Sequence, residues 1–284
     1  MRAVALHPDV LVVTSALLRT NCVVVRGGID EDVAAVPAAA GSVGGPATAQ
    51  PQAEVFAIDS PVLPDELDAL PALLEQAGFP APSGLLATHG DWDHLLGRLA
   101  FPGVALGVAE STAARLAAAP GAAQRELRAF DERLYIERPR PLALGSLQAL
   151  PVPGRCELGG RQLELQPASG HTADGMAVWI GWAKVLVAGD YLSTIELPTF
   201  GEGGGVDAYL ATVERLRALG RGAEHVVPGH GPVLDAGRAL ALLDEDAAYL
   251  RALREQGAEA ELPPGRRSRE QRRLHAWNVA CSSG

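Results

Sequence analysis

The sequence is poor in cysteine, in lysine and in aromatic residues, and each scarcity removes a class of explanation. Cys22, Cys156 and Cys281 are the three cysteines, scattered and odd in number, with no CxxC pair. That pattern excludes a disulfide framework and a cysteine-built zinc site. Lysine occurs once, at Lys184, and the 24 basic residues are outnumbered by 34 acidic ones, for a formal net charge of −10 and a pI of about 5.2. So acidic a chain lacks the basic face that broad nucleic-acid binding requires, although a small phosphate ester stays open as a substrate. Aromatics make up 5 % of the residues and apolar residues 48 %, so the core is expected to be mostly Ala, Val and Leu. No apolar run approaches the ~18 residues of a membrane span. The apolar stretch Val10 to Leu18 follows Arg2 and mimics a short signal peptide. His7, Pro8 and Asp9 interrupt its start and no small-residue cleavage site is clear, so a first strand pair and a cytoplasmic location are expected.

What is present is centred on Thr88-His89-Gly90-Asp91-Trp92-Asp93-His94, which follows the strand-like Gly84-Leu85-Leu86-Ala87. Four metal-competent side chains fall within six residues, and imidazole with carboxylate suits zinc, iron or manganese. Taken alone, the cluster also fits a solvated Asp- and Gly-rich loop. Three later segments repeat the pattern of an apolar strand delivering a polar residue to a loop. His171 lies in Ser169-Gly170-His171-Thr172, Asp190 closes Val185-Leu186-Val187-Ala188-Gly189-Asp190, and His230 closes His225-Val226-Val227-Pro228-Gly229-His230-Gly231. Rigid strands holding ligands on the loops at their ends make a precise site.

These motifs, in this order, resemble the metallo-β-lactamase-fold superfamily, whose signature is HxHxDH followed by three single ligands. The likeness runs from about Val4 to about Leu253. It implies an α+β fold, a four-layer αββα sandwich with the site where strand ends of two halves meet. It implies that His89, Asp91 and His171 bind one metal ion, that Asp93, His94 and His230 bind a second, and that Asp190 bridges them. It also implies a hydrolase in which a metal-bound hydroxide attacks a small ester, thioester, lactone or phosphoester, with Asp93 as the catalytic carboxylate. Asp59, ending Val55-Phe56-Ala57-Ile58-Asp59, matches the family aspartate that orients the metal loop; a turn aspartate is the plain alternative. His7, His225 and His275 read as structural or solvent-facing residues, the first and last in mobile ends. Trp92 and Tyr191 are candidates for substrate contact or simple packing.

One position departs from the signature: Asp91 stands where a histidine is usual. The first metal then has a harder oxygen ligand, so iron or manganese competes with zinc. Three carboxylates instead of two also lower the formal charge of the loaded site by one, which predicts a less acidic bound water and a higher pH optimum. The alternative is an Asp91 that points to solvent. A diiron redox protein is a second functional class, since the flavodiiron branch has a carboxylate at this position, but those proteins carry a flavodoxin domain that has no counterpart here. A non-catalytic metal-binding module is a third. No membrane or nucleic-acid partner is expected.

The rest of the chain reads as strands at 10–13, 22–25, 55–60, 104–108, 147–152, 161–165, 176–182 and 184–188. Helices are expected over 64–77, 111–118 (capped by Glu110 or Ser111), 122–134, 206–219 and 236–254. Residues 1–256 form one domain, with a loop insertion at 27–53 that a flap over the site would also explain. Residues 192–205 form a flexible rim. Residues 257–284 form a basic tail, either a peripheral helix or disorder, with Trp277 as a candidate partner contact.

Overall fold

A computed structural model describes residues 1–28, 53–201 and 203–282. The expected 27–53 insertion falls almost wholly outside the described residues. The first sheet is β1 (Arg2–His7), β2 (Val10–Thr14), β3 (Asn21–Arg26), β4 (Val55–Ile58), β5 (Gly84–Leu86), β6 (Ala105–Ala109) and β7 (Leu147–Leu150), in that spatial order. Its first four strands pair antiparallel and its last four parallel. The second sheet contains β8 (Gly154–Leu158), β9 (Arg161–Pro167), β10 (Met176–Ile180), β11 (Val185–Gly189), β12 (His225–Pro228) and β13 (Leu234–Asp235), ordered β13-β12-β11-β10-β9-β8. There β11 and β12 are parallel and the other pairs antiparallel.

Helices α1 (Pro64–Gln76), α2 (Gly97–Ala100), α3 (Glu110–Ala118) and α4 (Ala122–Leu134) lie on the first sheet, and α5 (Val206–Gly220), α6 (Ala236–Gln256) and α7 (Arg269–Ser282) on the second. Three apolar clusters correspond to the three interfaces of a four-layer sandwich. Between the sheets, Val10, Val12, Val23 and Val25 meet Leu163, Leu165, Val178 and Val187. Alternate residues of the same strands, such as Leu11, Val13 and Val24, turn the other way, toward α1 and α4. With both faces covered, central strands are continuous apolar runs: all five residues of β11 are buried. Burying one such Val or Leu contributes about 1.5–3 kcal/mol.

The differences from expectation have simple causes. Strands β1 and β8 are sheet edges with many exposed residues, so they lack the apolar signal of the centre. The strands at 147–152 and 161–165, expected to flank a Gly159-Gly160 turn, lie in different sheets: that turn joins β8 to β9, while β7 belongs to the first sheet. Helix α3 starts directly at Glu110 after Ala109, without a side-chain cap; neither Glu110 nor Ser111 fills that role. His7 is not in a mobile end: it closes β1, and its Nδ1 accepts from the Asp9 amide at 3.1 Å. His275 sits in α7, its Nδ1 3.0 Å from the Tyr249 hydroxyl, and His225 opens β12.

Residues 257–282 pack on the domain. Ala260 is buried and Leu262, Leu274 and Val279 extend the α5–α6 core. The segment also acts as a clasp on residues 193–200. Arg266 donates to the carbonyls of Ser193 and Glu196, Gln271 to Ile195, Asn278 to Pro198 and Trp277 to Phe200. Arg266 is itself buried and ion-paired to buried Asp246 at 2.6 Å. The 192–205 stretch, expected as a flexible rim, has Leu192, Leu197 and Phe200 buried under this clasp.

Candidate metal centre

The candidate ligands reach one place because the parallel strands end there. His89, Asp91, Asp93 and His94 follow β5, and a single 3-10 turn over Trp92–His94 carries Asp93 and His94 inward. His171 lies between β9 and β10, Asp190 follows β11, and His230 follows β12. The two sheets are tied at this seam. The Asn21 amide donates to Gly229 O, its side chain donates to Pro228 O and Gly231 O, and Gly231 N donates to Arg19 O. A Cβ on Gly229 would lie 2.0 Å from Asp190 Oδ1, so only glycine admits that carboxylate.

All seven candidates converge. Asp91 Oδ2 lies 3.3 Å from His171 Nε2 and 3.6 Å from His89 Nε2. Asp93 Oδ2 lies 3.3 Å from His230 Nε2 and 3.7 Å from His94 Nε2. Asp190 Oδ2 lies 3.7 Å from His89 Nε2, 3.4 Å from His171 Nε2 and 3.3 Å from His230 Nε2, while its Oδ1 is 3.1 Å from His94 Nε2. Donors on a tetrahedron with bonds of about 2.0–2.1 Å stand roughly 3.3 Å apart, close to this spacing. Within each of the sets His89–Asp91–His171, Asp93–His94–His230 and His89–His94–Asp190, the donor atoms lie within 4.8 Å of one another.

Each imidazole has an oxygen behind Nδ1: a hydrogen-bond partner for His89, His171 and His230, and for His94 a carboxylate at ion-pair distance that falls outside hydrogen-bond geometry. His89 Nδ1 faces Thr88 Oγ1 at 3.1 Å, and that hydroxyl donates to Asp59 Oδ2 at 2.9 Å. His94 Nδ1 lies 3.0 Å from the same Asp59 oxygen. His171 Nδ1 faces Thr199 O at 2.9 Å and His230 Nδ1 faces Leu18 O at 3.0 Å. Acceptors behind Nδ1 put the ring proton there and turn the Nε2 lone pair into the cluster. Asp59 also accepts from Thr88 N at 2.8 Å, so this carboxylate, buried and at φ +59°, supports one histidine of each set.

The residues fit a cation. His89 Nε2, His94 Nε2 and Asp190 Oδ1 are buried without a hydrogen-bond partner. Leaving such an atom unsatisfied costs about 1–3 kcal/mol, and a metal ion is a partner for all three. Burial opposes charge throughout, yet the opposite charges win. Imidazole neighbours hold Asp91 and Asp190 well below the usual carboxylate range. Asp91 and Asp190 raise His171 to about 9, Asp190 above all raises His230 to about 10, and Asp190, Asp59 and Asp93 raise His94. A field that keeps protons on imidazoles attracts a metal cation that displaces them.

Asp91 does not point to solvent: Oδ2 faces the imidazoles. Trp92 packs on Phe130 with ring centroids 4.5 Å apart. Tyr191 is 3 % exposed and its hydroxyl accepts from His171 N and donates to Ala168 O. Tyr191 packs and orients His171, while Trp92, packed on Phe130, is only partly buried. Three groups escaped the sequence. Arg115, on α3, places Nη2 2.8 Å from Asp91 Oδ1. Buried Asp174 accepts from Gly90 N, Thr112 and Arg115; its place three residues after His171 was the available signal. Burial pushes the Glu196 carboxyl up, His230 pulls it back, and Asp190 and Asp93 push it further, which places a further carboxylate in the field of the cluster.

A two-sheet sandwich with helices outside and a histidine–aspartate cluster at the seam is a metallohydrolase-type architecture. Residues 63–230, more than half of the chain, match the metallo-beta-lactamase superfamily. The protein belongs to this superfamily, whose members include metal-binding hydrolases and also non-hydrolytic proteins. A metallo-beta-lactamase type 2 from Bacillus sp. (strain 170) is 32 % identical over 106 residues, which span 36 % of this chain and 39 % of that one. A metallo-beta-lactamase family protein from Thermus thermophilus superposes with a TM-score of 0.64 at 21 % identity, covering 88 % of this chain and 82 % of that one. A stereoselective inverting sec-alkylsulfatase from Pseudomonas sp. superposes with a TM-score of 0.71 at 12 % identity, covering 99 % of this chain and 49 % of that one. Likeness at such low identity speaks for the fold alone. Among the described residues no helix is long and apolar enough to cross a membrane.

Proposed function

We propose that this protein is a hydrolase that uses two divalent cations, zinc foremost, to cleave a small ester, thioester, lactone or phosphoester. His89, Asp91 and His171 hold one cation, Asp93, His94 and His230 the other, and Asp190 contributes to both. The carrying observation is the position of Asp190, whose carboxylate alone faces imidazoles of both sets. When bound, the cations supply Lewis acidity and a water acidified from ~15.7 toward neutrality. The chain's own residues do the rest. Thr88, Asp59, Thr199 and Leu18 fix the imidazoles so that little reorganisation is needed. Asp93 turns Oδ2 to His94 and His230, which leaves Oδ1 as the oxygen that would take the proton of the attacking water.

The test is metal analysis of protein expressed with metals in excess, then a panel of chromogenic esters, thioesters, lactones and phosphodiesters. Turnover should vanish on chelation and return with zinc. Protein that holds no transition metal sinks the proposal. The carboxylate at 91 favours a diiron redox protein as the second reading. Iron as the bound metal, with reversible optical changes on reduction and no hydrolysis, would select it.

A further inference from the structure

Asp91 is the place where this chain leaves its family's pattern, and the residue that answers it lies on α3. Asp91 has two differently used oxygens: Oδ2 faces His171 and His89, and Oδ1 lies 2.8 Å from Arg115 Nη2. The other arm of the guanidinium, Nη1, donates to Asp174 Oδ1 at 3.0 Å. Asp174 is fixed in turn, since its Oδ2 accepts from Gly90 N at 2.9 Å and from Thr112 Oγ1 at 2.7 Å. Thr112 and Arg115 are one helical turn apart on the same face of α3. The planar fork of arginine spans two carboxylates at fixed angles, which lysine does not do. A Cβ on Gly90 would stand 3.2 Å from Arg115 Nη1 and 3.3 Å from Asp174 Oδ2, tighter than ordinary packing, so the glycine of the metal loop makes room for the contact.

We infer that Asp91 and Arg115 act as one unit that replaces the usual neutral imidazole. The arginine holds Oδ1, which leaves Oδ2 as a single donor beside His89 and His171. Its positive charge cancels the extra negative charge that the aspartate brings, so the loaded site regains the formal charge of an all-histidine first position. This rests on the proposed role of Asp91 as a ligand of the first cation. It revises the charge argument made from the sequence: the carboxylate is compensated, and the pH optimum need not rise. Arg115 is a positioning residue here, since it acts through Asp91.

A double-mutant cycle tests the unit, because the two effects of removing Arg115 oppose each other in affinity. Loss of orientation weakens the first cation, while loss of a nearby positive charge strengthens it. Wild type, R115Q, D91H and D91H/R115Q are titrated with zinc against a chromophoric chelator. In D91H the guanidinium has lost its carboxylate partner beside the cation, so first-position affinity should fall about 10–100-fold. Adding R115Q to D91H should restore at least about tenfold. The Asp174 contact is lost with R115Q in both backgrounds and cancels in the cycle. The cobalt-loaded protein gives a second readout: R115Q should alter the visible bands of the first site, and R115K, which keeps charge without the fork, should not restore them. An R115Q effect of the same size and sign in wild type and in D91H, with unchanged cobalt bands, overturns the unit while leaving the metal centre intact. A wild type that binds no metal overturns the metal reading itself.

Discussion

Asp59→Asn is the most informative single change, because asparagine keeps the shape and tolerates the left-handed backbone of this position (φ +59°). Only the acceptor pattern changes. Asp59 accepts from Thr88 N at 2.8 Å and Thr88 Oγ1 at 2.9 Å, and stands 3.0 Å from His94 Nδ1. The amide has one oxygen. If it accepts from Thr88 N, the NH2 group faces His94 Nδ1 and the Thr88 hydroxyl. The negative charge that favours the ring proton on Nδ1 is gone, so the proton shifts toward Nε2 and blocks the lone pair aimed at the cluster. Losses of this kind cost ~10–100-fold in metal affinity, about 1.4–2.7 kcal/mol. They should fall mainly on the Asp93–His94–His230 set and, through Thr88, more weakly on His89. Two hydrogen bonds to a charged acceptor become neutral ones, a further ~2–3 kcal/mol of folding stability. For a chain of this size that is about 5–10 °C in Tm. Zinc per chain is measured after dialysis against graded chelator, beside melts of the metal-free and loaded protein. A lowered Tm with both ions held at wild-type affinity would refute the tautomer argument and leave Asp59 as a turn residue. Thr88→Val provides the contrast, since it should weaken the His89 side and spare His94.

The other expected outcomes are these. His94→Ala or His230→Ala should remove one metal ion per chain and most activity, while circular dichroism stays that of a folded protein. Metal-free protein should lose stability as the pH rises from 6.5. His171 and His230 are raised from 6.5 to about 9 and about 10, so their contribution is complete below 6.5 and is lost through 9–10. Asp91 and Asp190 are depressed from 3.8, so theirs is complete above that value and is lost further into acid. Zinc replaces the imidazole protons, so the rise in Tm on adding zinc should grow from pH 6.5 to 9; a metal-free Tm that is flat or rising there refutes the field described. Asn278→Ala removes the donor to Pro198 O (2.6 Å) at a residue that is 0 % exposed. It should cost about 1–3 kcal/mol and loosen metal binding on the His171 side, read as Tm and zinc affinity.

Much of the fold was legible because the sandwich buries both faces of its central strands. Runs such as Val185–Ala188 and Val23–Val25 have no other use, and a glycine follows each within two residues, Gly189 and Gly27. The seven site candidates were legible for the same reason, as polar residues stranded at the ends of apolar runs. Edge strands β1 and β8 were not: β8 exposes the ordinary polar residues Arg155 and Glu157, and β1, with Val4 its one β-branched residue and Ala3 and Ala5 exposed, lacks the β-branched run of a buried strand. Nor was the partner of Asp91. Arg115 lies on a surface-like helix among alanines, and only the folding of α3 against the 171–175 loop brings it to the metal loop. The surroundings of Trp92 and Tyr191 were open in the sequence because an aromatic beside a ligand can face the cavity or the core, and the neighbours they pack on, Phe130 and Ala168, are distant in the chain.

The clasp formed by residues 266–278 has a temporal consequence. Thr199, whose carbonyl orients His171, lies within the 193–200 segment that Arg266, Gln271, Trp277 and Asn278 hold. A chain emerging from the ribosome therefore carries all seven candidate ligands before it carries the residues that hold one of them in register. Competence of the site waits on residues made after its last ligand, His230. A stop codon or a protease acting within α7 would leave a protein with every candidate ligand present and an imidazole unsupported.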